Sequence, residues 1–257
     1  MKEADFLDAM TKKGWVILSE AVPRDLVNLM REDLDTALQV CRRIQVENGV
    51  ADDTAGTVHH LPAIRQCLSF LEFLESNPAH PYLERWMGGK YVLQSFGGNF
   101  NYPENSYASQ IHRDIRRGQK ENLVVNVLVM LDDFTVENGA TWMMEHSRDM
   151  NERPDRTLFY LCAKQVTAPA GSILIFDSNL WHAAGQNRTD KVRRSVTPMF
   201  ARPYLKAGFD YCRAIGPDVA RMSPRLQQVL GYKARIPASL SEWYRKPDER
   251  FYQGDQG

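Results

Sequence analysis

The sequence predicts a mainly β protein with flanking helices, arranged as an antiparallel sandwich or barrel, and three observations carry that prediction. From Lys90 onward the chain holds five apolar runs, YVLQSF, LVVNVLVML, ATWMM, GSILIF and VRRSVTPMF, each bounded by Gly, Pro, Asn or Asp, the pattern of strands. Short polar loops, not helices, join these runs, which disfavours a doubly wound parallel sheet. Before Lys90 the apolar residues recur mostly at helical spacing.

Taken in order, GWVILSEAV reads as a first strand, and Pro23 then suits the first position of a helix. Leu26, Leu29, Met30, Leu34, Ala37, Leu38 and Cys41 continue that helix. Residues 45–62 carry Gly, Asp, Thr and Asn without periodicity and read as a loop, and two helical stretches follow over 64–75 and 81–87. After the five strands, PRLQQVLGY is a short helix, and Trp243, Tyr244, Phe251 and Tyr252 are expected to dock as a covering segment over one sheet. The expected organisation is a single domain over 1–257, with a helical scaffold at 1–89, a β core at 90–204 and the covering segment at 205–257. No repeat or low-complexity tract interrupts it.

Lys plus Arg and Asp plus Glu both number 32, so the formal net charge is zero. A nucleic-acid partner held by bulk charge is therefore not expected, and a small-molecule substrate is. The longest apolar run, LVVNVLVML, is interrupted by Asn126 and falls far short of the ~20 residues of a membrane span. The charged amphiphilic start gives no targeting signal. Cys41, Cys67, Cys162 and Cys212 form no CxxC pair, so neither a zinc knuckle nor a disulfide framework is expected, and a reducing cytoplasmic setting is. An oligomeric state is not legible from the pattern.

Two of the six histidines lie where strands would focus them. In the triplet His112-Arg113-Asp114, residues i and i+2 of an extended strand share a face, so imidazole and carboxylate converge. His182 follows the apolar run of GSILIFDSNLW, where an unpartnered polar ring would be costly. Two histidines and a carboxylate on one face of an octahedron leave three positions open, the arrangement of non-heme Fe(II) oxygenases. A surface His plus a satisfied core His accounts for the same letters. His80 with Glu84 reads as a solvated pair on a helix face, His59-His60 as loop and His146 as a polar turn. Arg193, on the strand after the Asn187–Asp190 turn, suits a carboxylate through two parallel hydrogen bonds. Arg194 lies on the opposite face, and spacing alone does not separate the two.

At this point the chain resembles the phytanoyl-CoA dioxygenase family of Fe(II)/2-oxoglutarate-dependent oxygenases. The resemblance runs from GWVILSEAVPRDLVNLMREDLD to PRLQQVLGY, and its strongest blocks are His112-Arg113-Asp114, LDDFTVENGAT, GSILIFDSNLWHAAGQN with Arg193, and ARPY. It implies a double-stranded β-helix (jelly-roll, cupin-like) core, with Fe(II) on His112, Asp114 and His182. The distal carboxylate of the cosubstrate 2-oxoglutarate would meet Arg193, Thr141 and Gln94 would also touch it, and O2 would be consumed. Hydroxylation of a small molecule is the implied reaction; desaturation, cyclisation, epimerisation and endoperoxide formation start from the same cofactors. Asp114 disfavours halogenation, since halogenating relatives carry a small residue there. One block departs from the pattern: Glu145-His146-Ser147-Arg148 stands where the family usually has Pro-Gly-Ser-His, and Trp142 where it often has a smaller or basic residue.

Asn126 reads as a satisfied core amide or as a side chain reaching the pocket. The basic run Arg113, Arg116, Arg117, Lys120 reads as a solvated loop or, through Arg117 above all, as a contact for an anionic substrate. Two other classes remain compatible with the ligand set. One is a noncatalytic jelly-roll metal-binding protein. The other is a zinc hydrolase, for which the sequence offers no general base or oxyanion donors.

Overall fold

The structure, a computed structural model, describes residues 1–50, 56–103, 110–115 and 121–256. In chain order the elements are α1 (Glu3–Lys12), β1 (Trp15–Leu18), α2 (Arg24–Glu47), β2 (Thr57–Val58), α3 (Ser69–Ser76), α4 (His80–Met87), β3 (Val92–Asn101) and β4 (Val124–Met130). They continue with β5 (Trp142–Met144), α5 (Arg156–Cys162), β6 (Ala163–Gln165), β7 (Ile173–Asp177), β8 (His182–Ala183), β9 (Arg193–Ala201), α6 (Tyr211–Ile215), α7 (Pro224–Val229) and α8 (Leu240–Trp243). A six-stranded sheet, ordered β1-β7-β4-β9-β3-β2, faces a three-stranded sheet ordered β6-β5-β8. Every strand pair is antiparallel. This is the jelly-roll with flanking helices.

Strand β4 explains the layering. Val125, Val127 and Val129 alternate onto the outer face and join the cluster built with Met30, Leu34, Phe70, Phe73 and Leu83 of the helices. Leu128 and Met130 point the other way and join Phe134, Met143, Leu174 and Phe176 between the sheets. A central strand buried on both faces reads as a continuous apolar run; its one polar member, Asn126, lies on the inner side, where it lines a cavity. Helix α2 buries Leu26, Val27, Met30, Leu34 and Ala37 at helical spacing. It lies so close to β3 that a Cβ at Gly98 would stand 2.3 Å from Leu34 Cδ1, so any larger residue there would force the Leu34 side chain to move.

The helix expected to begin at Pro23 begins at Arg24, with Pro23 capping it in an extended conformation. His80 is a correction: it does not pair with Glu84, which meets Arg225 instead. His80 is buried, with Nε2 donating to Leu74 O at 2.8 Å and Nδ1 against the Tyr91 hydroxyl. Burial pushes its pKa below the usual histidine value. In the C-terminal region Tyr211, Val219, Leu226, Val229 and Leu230 pack into the helical cluster outside the large sheet. Trp243 and Tyr244 stay 60% and 80% exposed, against the expectation that they dock. Among the described residues no helix is long and apolar enough to cross a membrane.

Candidate active site

His112 and His182 are brought together by backbone. Each N–H donates to the other's carbonyl, at 2.9 and 2.8 Å, although the residues lie far apart in sequence. Asp114, two residues on, is fastened by its own N–H to Ser178 O at 3.2 Å. The i, i+2 rule then places His112 and Asp114 on one face, while Arg113 turns away. Arg113 donates to Met150 O and Asn151 O and lies over the Trp181 ring at 5.0 Å.

One ligand atom from each of His112, Asp114 and His182 lies within 4.8 Å of the others. The His112 Nε2 to Asp114 Oδ1 distance is 3.8 Å, and His182 Nε2 to Asp114 Oδ2 is 3.7 Å. In both histidines Nδ1 sits 2.9 Å from the carbonyl two residues upstream, Gln110 O and Leu180 O. A carbonyl only accepts, so Nδ1 carries the proton and the Nε2 lone pair is turned inward. Burial holds the pKa of His182 below the usual histidine value, against the raising effect of Asp114, and this keeps the ring neutral as a metal ligand must be. Two imidazoles and a carboxylate with open space before them form a facial donor set that fits Fe(II).

The set opens onto a cavity of about 220 Å³. Arg193, Ser195, Thr197 and Met199 of β9, and Ser95, Gly97, Asn99 and Asn101 of β3, line one wall at alternating positions. Arg193 faces this cavity, and Arg194 lies opposite, paired with Asp132 at 3.4 Å and Asp35 at 3.5 Å. That separates two arginines that spacing left together. Arg193 is 4% exposed, donates from Nε to Asn138 O at 3.3 Å and stacks on Phe134 at 3.9 Å. Among the described residues no carboxylate lies within ion-pair distance of it. Burial lowers its pKa to about 9, still charged at neutral pH. A buried cation without a counter-ion is costly, and the cost is relieved by an anionic ligand such as the distal carboxylate of 2-oxoglutarate.

The turn that carries Asn138 is built by the ENGAT block. Asn138 Oδ1 accepts from Thr135 N at 2.9 Å, and Gly139 adopts φ 77°. A Cβ on Gly139 would meet Gly185 O at 2.3 Å, so this close approach requires glycine. Two residues on, Thr141 is buried and lines the cavity. Asn126 reaches the cavity as well and donates to Asp114 Oδ2 at 2.6 Å and Ser178 Oγ at 2.9 Å; the two readings of this residue turn out to be one.

Gln94 is a correction. The β3–β9 register shifts between Leu93 and Ser95, so the phase of the strand changes at Gln94. Its amide donates to Lys206 O at 3.0 Å, and the side chain is absent from the cavity wall. Arg117 and the rest of its basic run after Ile115 up to Lys120 lie outside the described residues. Sequence reasoning missed Asn101, opposite Arg193 in the ladder, and His59, on the cavity wall. Asn101 was legible in principle, as a polar residue two positions on from Asn99 in GGNFN.

The departing block keeps a tight turn: His146, where the family usually has glycine, takes φ 59°. Ser147 Oγ donates to Met144 O at 2.6 Å and accepts from Trp181 N at 3.0 Å, tying this turn to the residue before His182. Arg148 meets the buried Asp177 at 3.1 Å.

A jelly-roll whose cavity is lined by two histidines, an aspartate and a buried arginine defines the class of non-heme iron, 2-oxoglutarate-dependent oxygenases. The chain belongs to the phytanoyl-CoA dioxygenase (PhyH) family, whose sequence model matches residues 11–195. It is 35% identical over 196 residues to an uncharacterized protein of Mycobacterium tuberculosis, covering 76% of this chain and 70% of that one. It is 24% identical over 255 residues to the dioxygenase cdmA of Talaromyces verruculosus, covering 90% and 83%. Its fold is shared, at a TM-score of 0.57 and 15% identity over 77% of this chain and 81% of the other, with the non-heme alpha-ketoglutarate-dependent epimerase SnoN from nogalamycin biosynthesis.

Proposed function

We propose that the protein oxidises, by hydroxylation, a C–H bond of a small-molecule metabolite with Fe(II), 2-oxoglutarate and O2. The observation that carries this reading is the pairing, in one cavity, of the His112, Asp114 and His182 donor set with the buried Arg193, which has no carboxylate within ion-pair distance among the described residues. When bound, iron and 2-oxoglutarate supply the oxidising chemistry: the cosubstrate is converted to succinate and CO2, and an oxygen atom enters the substrate.

The chain's own residues position and exclude water. His112, Asp114 and His182 hold the metal, Arg193 grips the distal carboxylate, and Thr141, which lines the same cavity, meets the cosubstrate. Leu128 and Phe176 supply apolar surface beside the donor set, which favours a dry reaction space. The four cysteines are free, which fits a cytoplasmic setting.

The test is succinate formation from 2-oxoglutarate by iron-loaded protein, with and without O2. The reading expects formation that requires iron and O2 and is lost in Asp114→Ala; turnover retained in that variant would contradict it.

A further inference from the structure

We propose that Asn126 is a positioning residue that restricts Asp114 to one ligating oxygen, so that three coordination positions stay open. The proposal rests on the metal-site reading above and assigns a role to a residue that is not itself a ligand.

The amide's orientation is fixed by chemistry. Asp114 Oδ2 lies 2.6 Å from the Asn126 side chain, and a carboxylate only accepts, so the facing atom is Nδ2. The other contact of the same nitrogen, to Ser178 Oγ at 2.9 Å, makes use of the second amide hydrogen. Ser178 in turn accepts the N–H groups of Asp114 and Ile115 on its backbone oxygen, at 3.2 and 3.4 Å. One residue thus anchors both the ligand's backbone and the amide that grips its side chain. Asn126 is 2% exposed on a central strand, so the amide has little freedom to turn away.

A carboxylate can bind a metal through one oxygen or both. Each oxygen stands near one histidine, Oδ1 at 3.8 Å from His112 Nε2 and Oδ2 at 3.7 Å from His182 Nε2, so it is the short, charge-assisted hydrogen bond on Oδ2 that leaves Oδ1 as the ligating atom. If both oxygens bound, Asp114 would occupy one of the three positions that a chelating cosubstrate and O2 need.

The test compares wild type with Asn126→Leu, which keeps the shape and removes the donor, in full-length protein loaded anaerobically with Fe(II). Two readouts are taken: the 2-oxoglutarate concentration that half-saturates the visible metal-to-cosubstrate band, and the separation of the carboxylate stretching frequencies in metal-loaded minus apo infrared spectra. In Asn126→Leu the separation should narrow from a one-oxygen to a two-oxygen value, and half-saturation should need roughly tenfold or more cosubstrate, the scale of effect of ligand-supporting residues. Ser178→Ala, which frees the amide on one side, should shift both readouts the same way by less, and serves alone if the leucine variant does not fold. An unchanged frequency separation, with half-saturation within about twofold of wild type, overturns the proposal and leaves the metal-site reading standing. Absence of the band in wild type overturns both.

Discussion

His112 and His182 exchange a pair of backbone hydrogen bonds, and their imidazole rings stand 4.3 Å apart between centroids. Because main chain makes this pairing, the geometry does not depend on a metal to assemble it. Replacing His112 by Gln should therefore remove tight Fe(II) binding while leaving the circular dichroism and thermal midpoint close to wild type. A large loss of stability in that variant would show that the ring itself holds the site together.

Arg193 is buried without an acidic partner among the described residues, so removing its charge should help the empty protein. Arg193→Met is expected to raise apo stability by roughly 1–2 kcal/mol, since a buried charge opposes folding, or a few degrees in midpoint. Saturating 2-oxoglutarate should stabilise wild type, by about 2.7 kcal/mol at a hundred times Kd, and leave the variant unmoved. Thermal scans with and without cosubstrate, under nitrogen and with Fe(II), check both halves.

How much of this was legible in the sequence depended on periodicity. Strands β4, β7 and β9 are long, apolar and bounded by turn residues, and the residues that line their inner faces follow a period of two. The same period of two set His112 and Asp114 on one face, and His182 was singled out by its apolar setting, whereas spacing left Arg193 and Arg194 together and only their partners separate them. Gln94 could not be placed, because a register shift at Leu93/Ser95 reverses the phase and leaves no mark in composition. His80 misled for a related reason: Glu84 is its neighbour by helical spacing, but the partners that decide its state, Tyr91 and Leu74, come from outside the helix. The two-residue strands β2 and β8 are too short for any pattern to show.

His146 holds a left-handed conformation at φ 59°, where a side chain is strained and glycine is not. His146→Gly should stabilise the fold by about 0.5–1 kcal/mol, less than the full strain because glycine also frees the unfolded chain. Urea denaturation measures it, and Fe(II) affinity should not change.

Burial holds the His80 pKa below its unfolded value of 6.5. The unfolded chain then binds more protons than the folded one between those two values, so the stability contributed is full above pH 6.5 and lost as pH falls through that window. His60 and His182 are shifted the same way and add to the slope. His80→Gln should lower stability at pH 7.5 and flatten, without abolishing, the decline between pH 6.5 and 5. Denaturation midpoints at stepped pH measure the slope.

The most direct measurement of the central claim is anaerobic addition of Fe(II) and then 2-oxoglutarate to the apoprotein, followed by visible absorption. A weak charge-transfer band that appears with both components, and is diminished in His182→Ala and Arg193→Ala, is the result this account predicts. Fe(II) binding with no band on adding 2-oxoglutarate, or a band of full strength in Arg193→Ala, would contradict it.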